Sequence, residues 1–163
     1  GLFQGFDRYA RRVPEPSSRR DPLSGNNSDA IEAASPLWHQ LLERRSWSSI
    51  FLTPEWQGIW WRRFGEGDDG LRLLTIGPPL GMAPMVLDGE TLSFVGDTDL
   101  FDYHDFIDVA PGFHAAFIDR VADEPWKTMD LRSLPAFSPA MTELPDAYRA
   151  RGDDRGRGRC PWR

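Results

Sequence analysis

Asp88-Gly89 stands between two apolar runs, and few two-residue signals restrict a fold so tightly. Residues 81–87 and 90–95 alternate apolar and small or polar side chains on either side of it. The pair is the signature of a tight antiparallel hairpin. A third run, residues 71–76, precedes the hairpin across Gly77-Pro78-Pro79 and places Leu71, Leu73 and Thr75 opposite Arg72, Leu74 and Ile76. Pro84 inside the second run argues for an edge strand or a bulge there. The third strand ends at Gly96, and an acidic, aromatic loop leads to a fourth over residues 104–109.

Helix signals flank these strands. Ser35-Pro36 joins a hydroxyl N-cap to a proline at the first helical position, and Trp38, Leu41 and Leu42 then share a face. Thr53-Pro54-Glu55 repeats the device for a helix that stops at Gly65, with Trp56, Ile59, Trp60 and Phe64 expected inward and Trp61 off that face. A short helix over residues 113–122 turns Phe113, Phe117, Ile118 and Val121 inward, a buried strand follows at 128–131, and Ser138-Pro139 opens a last helix that frays by Gly152. Hairpins followed by a β-α-β segment imply an α+β (mixed α/β) fold, a mostly antiparallel central sheet flanked by helices.

The 163 residues suit one domain. Residues 35–148 are expected to form it, with 1–34 a disordered or non-native arm and 149–163 a disordered or out-of-frame tail. The chain opens on Gly1 rather than Met and closes on a low-complexity charged run, which reads as a fragment. The net charge of −6 is uneven. Residues 26–148 carry twenty acids against eight bases, whereas the ends hold eleven Arg against five acids. The central domain therefore reads as no nucleic-acid binder, since phosphate contacts need clustered cations. No apolar run reaches the roughly 20 residues of a membrane span, nor is there a signal peptide, so a cytoplasmic protein is expected. The single cysteine, Cys160, excludes an internal disulfide and a multi-cysteine metal site.

Chemistry concentrates in residues 97–108. Asp97, Asp99, Asp102, Asp105 and Asp108 form an acidic ladder around Tyr103 and His104. Asp97-Thr98-Asp99 has the form of a metal clamp for a sugar-nucleotide transferase, but acids that cap turns fit it better. His104 between Asp102 and Asp105 has the form of an acid–base or metal group, or of a packed strand histidine. Asp153 to Gly158 superficially resembles a coenzyme A pyrophosphate loop, yet Asp153 stands where Gln or Arg is needed and no strand precedes it. No nucleophile elbow, phosphate-loop lysine, dinucleotide fingerprint or zinc helix motif occurs.

Several pieces between Leu37 and Leu134 fall in a familiar order. They are Trp38 with Leu41-Leu42, Ile50 to Trp56, Trp60-Trp61-Arg62-Arg63-Phe64-Gly65, the 71–76 strand, Gly81 to Met85, Leu92 to Asp97, Asp102 to Phe106, and Trp126 to Arg132. Together they resemble the N-terminal half of the cellulose-biosynthesis-type (CelD/BcsL-like) acetyltransferases of the GNAT superfamily, relatives of the FemAB-like transferases. The resemblance implies a GNAT-like half-domain from a bacterial enzyme that moves an acyl group from acetyl-CoA or another acyl-CoA to an amine or hydroxyl acceptor, such as a saccharide or aminoacyl compound of envelope biosynthesis. It implies a coenzyme-binding half C-terminal to these residues, no metal, and a fragment inactive alone. Asp102, Tyr103, His104 and Asp105 become the expected acceptor-side wall, with Trp61 a contact to another domain. Catalytic residues are not assigned. Two alternatives are a non-catalytic interaction module using Trp61 and the acidic loop, and the metal-dependent sugar transferase.

Overall fold

The structure, a computed structural model, describes residues 28–65, 70–97 and 99–152. Cys160, the run from Asp153 to Gly158 and residues 1–27 lie outside the described residues. Among the described residues four helices and five strands follow in the order α1 (Ser28–Arg44), α2 (Pro54–Phe64), β1 (Leu71–Ile76), β2 (Gly81–Asp88), β3 (Thr91–Phe94), β4 (Ile107–Asp108), α3 (Phe113–Val121), β5 (Thr128–Asp130) and α4 (Ala140–Arg151), with a 3-10 turn at Ile50–Leu52. The fold is α+β, and its sheet is mostly antiparallel: β1–β2, β2–β3 and β2–β4 are antiparallel, and β3–β5 is parallel.

The hairpin forms one residue later than the dipeptide suggests. Asp88 pairs with Thr91, so the loop is Gly89-Glu90. Gly89 adopts φ 56°, which costs glycine little. Pro84 lies in the central strand β2 rather than at an edge. Its carbonyl accepts from Val95 on the side where β3 has ended and β4 has not begun. The N–H that proline lacks would lie on that same side facing Val95, so the missing bond falls just past the last paired residues of β3.

The sheet is covered on both faces. Trp38, Leu41, Leu52 and Trp61 pack on Leu71, Leu73, Met82, Val95 and Ile107 from the α1/α2 side. Phe113, Phe117, Ile118, Val121, Ala140 and Leu144 pack on Leu74, Ile76, Met85, Leu92, Phe94 and Met129 from the α3/α4 side. The strict alternation of β1 thus feeds two cores, and each large side chain removed from water contributes roughly 1.5–3 kcal/mol. Trp38 Nε1 donates to the Leu52 carbonyl at 2.8 Å and fixes the turn ahead of α2.

Two helical expectations are corrected. α1 begins at Ser28, so residues 28–34 are helical and Pro36 sits inside the helix. Ile31 and Ala34 extend the stripe of Trp38, Leu41 and Leu42 into the core, and that burial outweighs the break at proline. α2 starts and stops where expected, with Thr53 accepting from Trp56 N–H and Gly65 as C-cap, but it is rotated. Ile59 and Phe64 are 61 % and 52 % exposed, whereas Gln57, Gly58 and Trp61 face inward. Gly58 lets α2 approach α1 so closely that a Cβ there would stand 3.3 Å from Ile31 Cγ2. Gln57 Nε2 meanwhile donates to the Phe51 carbonyl at 3.1 Å. Gly58 lets the two helices meet and Gln57 ties α2 to the turn before it, and hydropathy marks neither residue. Trp61, expected to be free for another domain, is a core side chain. The fourth strand is only Ile107–Asp108, shorter than the expected 104–109. The last helix reaches Arg151 and ends on left-handed Gly152, inside the stretch read as tail.

Candidate functional site

The connection from β3 to α3 holds the acidic ladder, and its carboxylates have different duties. Asp97 Oδ1 accepts from the backbone N–H groups of Asp99 and Leu100 at 3.0 and 2.9 Å, and Oδ2 accepts from Trp60 Nε1 at 2.9 Å. That is a turn cap tied to α2, not a free metal clamp. Among the described residues no group of three or more His, Cys, Asp or Glu could hold a metal ion.

Asp105 is also committed. It is buried, with Oδ2 3.1 Å from Arg45 and Oδ1 accepting from Ser138 Oγ at 2.8 Å and from Phe106 N–H at 2.9 Å. Arg45 further donates to Asp108 at 2.8 Å, to the Phe106 carbonyl and to the Trp47 carbonyl. Burial pushes the Asp105 carboxyl above the usual range, and Arg45 and Ser138 offset only part of the rise. The network locks the loop to the end of α1 and leaves Asp105 no face for a ligand.

Asp102 and Tyr103 point to solvent. Tyr103 stands edge-on to Trp47 at 5.8 Å, and Trp47 in turn meets Phe137 at 5.2 Å. His104 turns the other way. It is 4 % exposed, and its ring lies between Phe101 at 4.7 Å and Phe94 at 5.8 Å, nearly parallel to both. Neither ring nitrogen has a side-chain hydrogen-bond partner among the described residues. Burial lowers its pKa to about 4, with the Arg132 backbone and the Asp97 charge opposing, so the ring is neutral at pH 7. Gly96, at φ 121°, makes this placement possible, because a Cβ there would stand 2.6 Å from His104 Nε2.

His104 lines a pocket of about 230 Å³ with Ser93, Phe94, Gly96, Asp97, Asp130 and Arg132. It opens where β3 and β5 end, at the carboxyl ends of the two parallel strands, the usual ligand position in sheets with β-α-β units. Asp130 holds Arg132 through both carboxylate oxygens at 2.9 and 3.2 Å. A second chamber of about 440 Å³ shares Ser93, Phe94 and Gly96 with the first and is walled by Trp60, Trp61 and Phe64.

Of the five residues nominated from sequence, the polar pocket takes only His104, and Trp61 forms the inner wall of the adjoining chamber. Asp102, Tyr103 and Asp105 do not join them. Asp130, Arg132 and Ser93 were not nominated. Their only sequence signal is position: Ser93 and Asp130 occupy facing places in the β3–β5 register. Comparison with family models, with curated proteins and with solved structures finds no match for this chain. No helix among the described residues is long and apolar enough to cross a membrane.

Proposed function

We propose that this chain is the acceptor-side part of a GNAT-type acyltransferase that moves an acyl group from a coenzyme A thioester to an amine or hydroxyl. The observation that carries the reading is the pocket at the ends of parallel β3 and β5, lined by a buried imidazole that has no side-chain partner among the described residues. The unprotonated nitrogen of such a ring needs a donor when buried, and an acceptor O–H or N–H supplies one. With a pKa near 4 the ring is a weak base. Its role is to accept a hydrogen bond and orient the acceptor, and the proton-removing base is not assigned.

The described residues do not fit the coenzyme's phosphates. The pocket offers Asp97 and Asp130, and its one guanidinium, Arg132, is already held by Asp130. A diphosphate needs cations or clustered N–H donors. In this reading the coenzyme is held mainly by a C-terminal half of the parent protein, in the cytoplasm, and the acceptor belongs to saccharide or envelope biosynthesis.

The test is thiol release from acetyl-CoA by the longest reading frame containing this chain, with amine and hydroxyl acceptors. Turnover is expected, with a loss of about tenfold or more on His104→Phe, which keeps the stack and removes both nitrogens. A folded, extended protein that releases no thiol with any acceptor overturns the reading. A second reading, a non-catalytic interaction module, draws on the exposed pair Tyr103 and Phe137 beside Trp47 rather than on buried Trp61. It is favoured if coenzyme is never consumed.

A further inference from the structure

The two chambers differ in kind and share Ser93, Phe94 and Gly96. The polar one presents His104, Asp97 and the Asp130–Arg132 pair. The other presents the rings of Trp60 and Phe64, with Trp61 behind them. The bond from Trp60 Nε1 to Asp97 ties a wall of the aromatic chamber to a wall of the polar one. Phe64 is 52 % exposed, a large apolar ring held at the mouth of the groove. Among the described residues the charge is one-sided, with Asp88, Asp97 and Asp130 lining the two chambers against a single guanidinium that Asp130 already pairs. Indole and phenyl faces add a negative quadrupole to that field. Neutral His104 has acceptor capacity and no side-chain partner among the described residues. An anion meets repulsion in this groove, and a small hydrophilic molecule leaves the aromatic walls wet.

We infer that the two chambers form one site for an amphiphilic cation, its ammonium head against His104 and Asp97 and its hydrocarbon tail or ring along Trp60, Trp61 and Phe64. The inference rests on the acceptor-site reading above, and it names the aromatic chamber as the part that selects among acceptors by the length of their apolar tail. One ammonium N–H donates to the acceptor nitrogen of His104, and the others face Asp97. The tail displaces water from the rings, so affinity rises with chain length until the chamber is full.

The test is titration of the isotope-labelled chain at pH 7 with n-alkylamines from propyl to octyl, followed by NMR, with alkanols and alkanoates of equal length as controls. The indole N–H of Trp60 and the amide of Gly96 are expected to shift. Affinity should climb two- to fourfold per added methylene, and amines should bind at least tenfold tighter than alkanoates. Phe64→Ser, at an exposed ring, should flatten the chain-length dependence. His104→Phe should weaken every amine by a similar factor without changing that dependence. If His104→Phe does not fold, Phe64→Ser alone decides. An affinity indifferent to chain length, a dependence untouched by Phe64→Ser, or alkanoates binding as well as amines overturns the inference. Chain-length selection in a protein that transfers no acyl group keeps this site and removes the transferase. Transfer with no chain-length selection does the reverse.

Discussion

Residues 101–108 separate two buried polar regions that treat their side chains in opposite ways. On one side Asp105 meets Arg45, Ser138 and the Phe106 N–H. On the other His104, one residue earlier and as deeply buried, packs against rings and lines a pocket with no side-chain partner among the described residues. A satisfied buried group has spent its bonding capacity on architecture. An unsatisfied one costs stability in the empty protein and recovers it when a ligand arrives. Adjacent residues that look alike in sequence, an acid and an imidazole in a run of acids, thus part into tie and site.

The contrast can be broken most forcefully at Arg45. Arg45→Ala leaves the Asp105 carboxylate buried without its cation, and such orphaned charges cost about 3–5 kcal/mol. Denaturant unfolding should show that loss, and a change below about 1 kcal/mol would demote the network to ornament.

The next effect is the pH response of His104. An imidazole in the unfolded chain ionises near 6.5, and in the fold near 4. Between those values the unfolded chain binds more proton, so this contribution is complete above pH 6.5 and is lost as pH falls through 4. Its size is on the order of 3 kcal/mol. The stability gap between wild type and His104→Phe should move in the mutant's favour by that order as pH drops from 7 to 4. A constant gap would mean that the ring is solvated.

Gly96→Ala should cost about 2 kcal/mol, since φ 121° suits glycine and the new methyl meets His104 and Phe101. It should also perturb the His104 ring signals in NMR. Unchanged signals would separate Gly96 from the pocket. Smallest of all, Phe137→Ala removes a ring that is 65 % exposed. It should shift stability by no more than about 0.5 kcal/mol, and a larger loss would make the Trp47 cluster part of the core.

The strands were legible in the sequence because their signals are local. The alternation of Leu71 to Ile76 and the turn at Gly89 depend on neighbours a few residues away. The faces of α2 were not legible, because Gln57 and Gly58 face inward for reasons held by Phe51 and Ile31. Pro36 misled in the same way, as a residue with a strong local preference overruled by the stripe on either side of it. His104 could be nominated as a type of residue, but its orientation could not, since Phe94 and Phe101 set it. Asp130 and Arg132 reach the pocket only through the parallel pairing of β3 with β5. No spacing pattern in the chain announces that pairing.

That parallel pairing also orders events at the ribosome. Strand β3 emerges well before β5, because α3 and its flanking turns lie between them. While the later segment is still in the exit tunnel, β3 can zip onto β2, but its outer edge offers free N–H and C=O groups to any passing strand. Thr128–Asp130 is therefore a closing clasp, three residues long, supplied last among the strands. A nascent chain stalled before Thr128 should be markedly more prone to associate with its own kind than one stalled just after α4.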